Sequence, residues 1–241
     1  MKKIIIVLCS IGLTGMASIG CSGNRAASAG GATPEAQPEQ TIEVVAEAEA
    51  VENKVKPKVD LVFIIDDSGS MHTHRQNVAN NLPKLLDQYK DTDLNFLGLT
   101  SSWVNTLQYF DTRQASSPYD IGLLVATQLS TGGDAIEKYF SSILGALNNA
   151  NWSGFIRQDS ELVILIVGDA EDQSPIDTGA FLVTLTQYKS LKDIKVNAIL
   201  PLSKPCAADS GIDFTKILSA VQITGGASYT LCETNWSSFA L

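Results

Sequence analysis

Two short segments of the chain carry oxygen-bearing side chains at spacings that suit a metal ion. Residues 66–70 read DDSGS and residues 168–172 read GDAED, and each segment directly follows an apolar run. Both contain carboxylate oxygens, the first adds hydroxyls, and neither contains a thiol or an imidazole. Such hard oxygen donors favour hard cations. Each segment alone is also typical of a polar turn or a helix cap, whereas the two together indicate metal binding.

The apolar runs before these segments predict how the segments are positioned. Val59–Ile65 and Leu162–Val167 are almost continuously apolar, which is typical of strands buried on both faces of a sheet. Other strands and amphipathic helices are predicted to alternate with them. The further predicted strands are Leu94–Thr100, 104–110, Val196–Leu200 and 227–231, and the predicted helices are 73–89, 134–147, 176–191 and 212–222.

This order of elements predicts an α/β fold. We expect a Rossmann-like, doubly wound and mostly parallel sheet with helices on both faces. Ligands of such folds bind beyond the carboxyl ends of the strands, at a topological switch point. Both oxygen-rich segments therefore fall where a ligand site is expected.

The D-x-S-x-S pattern formed by Asp66, Ser68 and Ser70 resembles the metal-ion-dependent adhesion site of von Willebrand factor type A (vWA) domains. The resemblance extends over residues 58–241. It implies that the two serine hydroxyls bind Mg²⁺ directly and that the Asp66 carboxylate holds a coordinated water. It also implies that Asp169, after the fourth strand, completes the site. The family commonly has T-D-G where this chain has G-D-A, so the aspartate matches and its two neighbours differ.

The resemblance further implies a threonine from a second loop. Counting back from Ile136 points to Ser130, whereas the family's preference for threonine favours Thr131, and both residues stay candidates. The predicted cofactor is Mg²⁺, with Mn²⁺ and Ca²⁺ as alternatives. All of these ions accept oxygen ligands of the kinds present.

This ligand set predicts a binding module rather than an enzyme. Serine hydroxyls are neutral, so the ion is expected to attract an outside anion, such as an Asp or Glu carboxylate of a protein partner. The predicted function is therefore metal-dependent adhesion or protein binding. One alternative is a metal-assisted hydrolase with Glu171 or Asp172 as general base. Another is a structural envelope lipoprotein with a vestigial site. The two histidines, His72 and His74, share one loop, which disfavours a catalytic triad.

The amino-terminal segment predicts export. Residues 1–21 begin with two lysines, continue with a short apolar run and end in small residues before Cys21, which is the pattern of a signal peptide. The end Ser18-Ile19-Gly20-Cys21 resembles the bacterial lipobox, which implies lipidation of Cys21 and anchoring in the cell envelope, at the outer membrane. The family usually has Leu at the place of Ser18, so ordinary signal-peptidase cleavage is the alternative.

The composition of the following segment predicts a tether. Residues 22–57 are rich in Ala, Gly, Pro and Glu and lack aromatic side chains, so they cannot bury enough apolar area to fold. We expect a disordered acidic linker that holds the domain at 58–241 away from the membrane. The 241-residue chain has 17 Lys and Arg against 26 Asp and Glu, a net charge of −9, which argues against nucleic acid as a partner.

Two cysteines of the predicted domain are expected to form a disulfide. Cys206 and Cys232 flank the predicted helix 212–222, and an exported domain meets an oxidising environment. Two buried, unpaired thiols are the alternative. Cys9 lies within the predicted signal peptide and is removed with it.

Overall fold

The computed structural model describes residues 55–102, 109–111, 117, 120–121, 133, 135–149, 154–202, 206 and 213–241. The predicted signal peptide, lipidation residue Cys21 and most of the linker lie outside these residues. Within the described residues, no helix has the length and apolar character needed to cross a membrane.

The described elements follow the predicted order. The strands are β1 (Lys58–Ile65), β2 (Asp93–Thr100), β3 (Tyr109–Asp111), β4 (Glu161–Val167), β5 (Ile194–Leu200) and β6 (Ser228–Thr230). The α-helices are α1 (His72–Leu86), α2 (Tyr139–Leu147), α3 (Thr178–Leu185) and α4 (Thr215–Thr224). A 3₁₀ turn, Asp87–Tyr89, continues α1 to the predicted end of that helix.

The strands form one sheet in the order β3-β2-β1-β4-β5-β6. All neighbouring strands are parallel except the short edge strand β3, which is antiparallel to β2. The central strand β1 lies between β2 and β4, as expected for the most apolar strands of a doubly wound sheet. The predicted α/β class and the mostly parallel sheet are confirmed.

Apolar side chains pack on both faces of this sheet. On one face, Val62 and Ile64 of β1 belong to a core that includes buried residues of α2, α3 and α4. On the other face, Leu61 and Phe63 belong to a core with buried residues of α1 and with Trp236. Successive residues of a strand point to opposite faces, so one apolar run supplies both cores.

Two helices are shorter than their sequence patterns predict. The predicted helix 134–147 begins only at Tyr139, and Ile136, which we assigned to its apolar face, is 42% exposed. The start of α2 is set by a distant acid, because the Phe140 backbone N–H donates to the Asp172 carboxylate at 3.0 Å. Sequence periodicity carries no information about such a cap.

The predicted helix 176–191 ends at Leu185. Beyond it, the chain turns so that the buried Lys189 ammonium can donate to the backbone carbonyls of Arg157 and Gln158, at 2.5 and 2.9 Å. The Tyr188 hydroxyl also donates to the Asn148 side chain at 2.5 Å. Residues 186–191, predicted as helix, therefore contact the end of α2 and the segment before β4 instead of continuing the helix.

The predicted disulfide between Cys206 and Cys232 is present, and it spans 26 residues. Because a cross-link of this span restricts the unfolded chain, replacing both cysteines by alanine is expected to lower the free energy of unfolding by about 3 kcal/mol. Urea unfolding of the full chain measures this loss. A reductant should lower the stability of the wild type by a similar amount and leave the double variant unchanged. Equal stability of the wild type and the variant would contradict the prediction.

Candidate metal site

The sheet brings the two oxygen-rich segments together. Strands β1 and β4 are adjacent and parallel, and their last residues, Ile65 and Val167, are register partners. The segments 66–70 and 168–172 therefore leave the same edge of the sheet side by side. The backbone N–H of Asp66 still donates to the Val167 carbonyl at 2.8 Å, which fixes the start of the first segment against the second.

The Ser70 hydroxyl contacts two other predicted ligand oxygens. The hydroxyl oxygens of Ser68 and Ser70 are 2.8 Å apart, and the Ser70 hydroxyl donates to Asp169 Oδ1 at 2.9 Å. Both separations are those of ordinary O–H···O hydrogen bonds. Ser70 thus links the two segments, and the three groups lie close enough to be offered to one ion.

Asp66 forms the buried floor of the site. Its carboxylate is fully buried, and its Oδ1 accepts from the Ser68 backbone N–H at 2.8 Å. Its Oδ2 accepts from the Tyr139 hydroxyl at 3.1 Å and from the backbone N–H of Asp169 at 3.5 Å. These bonds fix the Asp66 carboxylate against both oxygen-rich segments and against α2.

The acids of the site repel one another. Burial, followed by the negative charge of Asp66, raises the pKa of Asp169 to about 6. Burial and Asp66 likewise raise the pKa of Glu137 to about 8. Burial, with Asp66 and Glu137 adding to it, raises the pKa of the Tyr139 hydroxyl well above its usual range. A bound divalent cation would offset the negative charge that these groups share.

Asp67 connects the first segment to other loops rather than to the ligand oxygens. Its carboxylate accepts from the Ser102 backbone N–H at 3.0 Å and from the Ser102 hydroxyl at 2.7 Å. Its backbone carbonyl accepts from the Gly133 N–H at 3.1 Å. A Cβ on Gly133 would lie 2.3 Å from the Asp67 carboxylate, so this close approach requires glycine. The contact places Gly133 beside the first segment.

In comparisons with known proteins, no protein-family model and no curated sequence matches this chain. Solved structures do match. Proximal thread matrix protein 1 from the mussel byssus, with a zinc-occupied MIDAS motif, is 15% identical with a TM-score of 0.52, over 76% of this chain and 43% of that chain. A von Willebrand factor type A structure from Catenulispora acidiphila is 13% identical with a TM-score of 0.50, over 74% of this chain and 39% of that chain. The chain has the fold of a vWA domain. It spans less than half the length of these proteins.

One departure from the vWA sequence pattern has a structural cause. The family commonly has threonine at the position of Gly168, and here the Tyr139 side chain occupies that space. A Cβ on Gly168 would lie 2.0 Å from the Tyr139 hydroxyl and 2.9 Å from the Asp66 Cβ. The glycine therefore allows Tyr139 to reach Asp66, and the two residues form a matched pair in this vWA fold.

The second loop of the vWA fold adds residues that the sequence did not indicate. The candidates Thr131 and Ser130 lie outside the described residues. Tyr139, in the first turn of α2, donates to Asp66, and the negative charge of Asp66 contributes to the raised pKa of Glu137. The only sequence signal for Glu137 was that it is an acid next to the predicted apolar residue Ile136.

The acids proposed as bases of a hydrolase have other roles in the structure. Asp172 is fully buried, caps α2 and forms an ion pair with Lys216 at 2.7 Å. The Glu171 carboxylate accepts from the backbone N–H groups of Lys216 and Ile217 at 2.8 and 3.3 Å, at the start of α4. Both side chains therefore satisfy helix amino-termini, which need such acceptors.

The histidines after the D-x-S-x-S pattern lie in the first turn of α1. His72 is exposed, and partial burial lowers the pKa of His74. In the described residues, no group of three or more His, Cys, Asp or Glu side chains is arranged to hold a metal. The candidate site depends instead on two hydroxyls and one carboxylate.

Proposed function

We propose that this protein is a binding module that holds a divalent cation through Ser68, Ser70 and Asp169 and attaches to a protein partner through that cation. The contact of three ligand oxygens at 2.8 and 2.9 Å, at the carboxyl edge of the sheet, is the observation that carries the proposal. Asp66 holds a water of the ion from below. Thr131 or Ser130 adds a hydroxyl from the second loop.

The exposure of the ligands supports a role in attachment. Ser68 is 8% exposed, whereas Ser70 is exposed and Asp169 is partly buried, so the site is open on one side. Only Asp169 among these three ligands is charged, which leaves an ion in need of further oxygen ligands from outside. The proposed partner group is an Asp or Glu carboxylate. The exposed Ile136 is proposed as an apolar contact for the same partner.

The chemistry of the ligands favours a hard divalent ion. Two hydroxyls and one carboxylate offer only oxygen atoms, which Mg²⁺, Mn²⁺ and Ca²⁺ all accept. We therefore propose Mg²⁺, with Mn²⁺ or Ca²⁺ as the alternative.

The proposal is tested by binding to an array of acidic peptides. Peptides that bind the full chain in Mg²⁺ should lose binding in EDTA and when their Glu and Asp are replaced by Gln and Asn. The Asp66→Ala variant should also lose binding while its circular dichroism stays that of the wild type. Peptide binding that persists unchanged in EDTA and in the variant would overturn the metal-mediated attachment.

We also propose that the domain is displayed in the bacterial cell envelope. The support is the sequence alone: the signal-peptide pattern ends at Cys21, and an acidic linker follows it. Several acyl chains on one cysteine would anchor the chain stably. Labelling with radioactive palmitate in a bacterial host should mark the wild type and not Cys21→Ser. Equal labelling of both would exclude lipidation at Cys21.

A further inference from the structure

Glu137 is a buried acid next to the candidate site that the proposed ligand set does not use. Glu137 is 1% exposed, and hydrogen bonds hold its backbone and that of the next residue. The Glu137 carbonyl accepts from the Gln173 N–H at 2.6 Å, and the next residue, Lys138, donates its N–H to the Ser101 carbonyl at 3.0 Å. The carboxylate therefore has little freedom to move away.

The two oxygens of this carboxylate have different surroundings. Oε2 accepts from the Ser101 hydroxyl. Oε1 is buried and has no hydrogen-bond partner. The Ser101 hydroxyl also donates to Asp67 at 3.4 Å, so Glu137 lies among the acids of the first segment. The negative charge of Asp66, which is also fully buried, raises the pKa of Glu137. Two buried carboxylates that interact are costly unless a positive charge or a proton lies with them.

We propose that Glu137 is a positioning residue of the cation site, whose buried carboxylate adds negative charge beside Asp66 and so tightens the binding of a divalent cation. The inference rests on the proposed cation site and deepens it. The cation supplies the positive charge that the buried pair lacks.

The contacts place Glu137 behind the proposed ligands. Ser70 contacts Ser68 and Asp169, whereas the Glu137 carboxylate accepts from the Ser101 hydroxyl. Tyr139 donates to the Asp66 carboxylate at 3.1 Å, from the first turn of α2. Asp66 is thus held by a hydroxyl, and Glu137 adds charge beside it.

The test compares Glu137→Gln with the wild type in the full chain, by calorimetric titration with Mg²⁺ and by melting with and without Mg²⁺. Residues behind metal ligands typically change metal affinity 10- to 100-fold, so the variant is expected to bind Mg²⁺ about 10-fold more weakly or worse. Its melting temperature without metal is expected not to fall, because the substitution keeps the side-chain shape.

Glu161→Gln is the matched control, because it removes the same charge from an exposed residue at the amino-terminal end of β4, the other edge of the sheet. It should bind Mg²⁺ like the wild type. Glu137→Asp keeps the charge and should bind Mg²⁺ more tightly than Glu137→Gln. This second variant preserves the test if the glutamine variant fails to fold.

The outcomes separate this inference from the proposed function. If both Glu137 variants bind Mg²⁺ as tightly as the wild type and only melt earlier, Glu137 is structural and the inference is wrong, while the cation site stands. If the wild type itself does not bind Mg²⁺, the cation site is wrong and the inference falls with it. Weaker Mg²⁺ binding by the control would show that overall charge, not Glu137, sets the affinity.

Discussion

The Asp169→Ala variant is expected to lose Mg²⁺ binding by about 100-fold or more, which is the largest functional effect that the structure predicts. Changes behind metal ligands already cost 10- to 100-fold in affinity, and Asp169 is the charged member of the three oxygens in contact. Calorimetric titration of the full chain with Mg²⁺ measures the change. The rise in melting temperature that Mg²⁺ gives the wild type should disappear with it.

The metal-free stability of this variant should not decrease. Asp169 is repelled by the buried Asp66, so removing its carboxylate relieves that repulsion even though the bond from Ser70 is lost. Asp91→Ala is the control, because Asp91 is an exposed acid in the turn before β2, at the opposite edge of the sheet. An Asp169→Ala variant that still binds Mg²⁺ like the control would refute the assignment of Asp169 as a ligand.

The largest expected effect on stability is at Gly168. Replacing it with threonine, the residue common in the family, is expected to cost about 4 kcal/mol in the free energy of unfolding. The added Cβ would lie 2.0 Å from the Tyr139 hydroxyl and 2.9 Å from Asp66, and Tyr139 is fully buried and cannot swing aside. Urea unfolding of the full chain measures the loss.

Gly69→Thr is the matched control in the other segment of the site, where a Cβ would meet nothing within 4 Å. It should change stability far less than Gly168→Thr. Adding Tyr139→Phe to Gly168→Thr should recover part of the loss, because the nearest atom is removed while the ring carbon Cζ remains 3.0 Å away. Equal losses for the two threonine variants would show that the Tyr139 contact is not the cause.

The sequence by itself predicted the strands and the two segments of the site. The run Val59–Ile65 differs from the observed β1 by one residue, and Leu162–Val167 differs from β4 by one residue. A strand buried on both faces must be continuously apolar, so its first and last residues can be predicted from the local composition. Polar segments after such strands fall at the carboxyl edge of the sheet, which is why Asp66 and Asp169 were found together.

Only the tertiary structure decided which acids influence one another. The charge of Asp66 raises the pKa of Glu137, 71 positions away in the sequence. Asp172 is close to Asp169 in the sequence, but it caps α2. The start of α2 at Tyr139 likewise depends on that distant cap. Hydrophobic periodicity indicates which face of an element is buried. It does not indicate which polar groups of other elements will contact that element. Those contacts depend on strand order and helix packing, which bring distant residues together only in the folded chain.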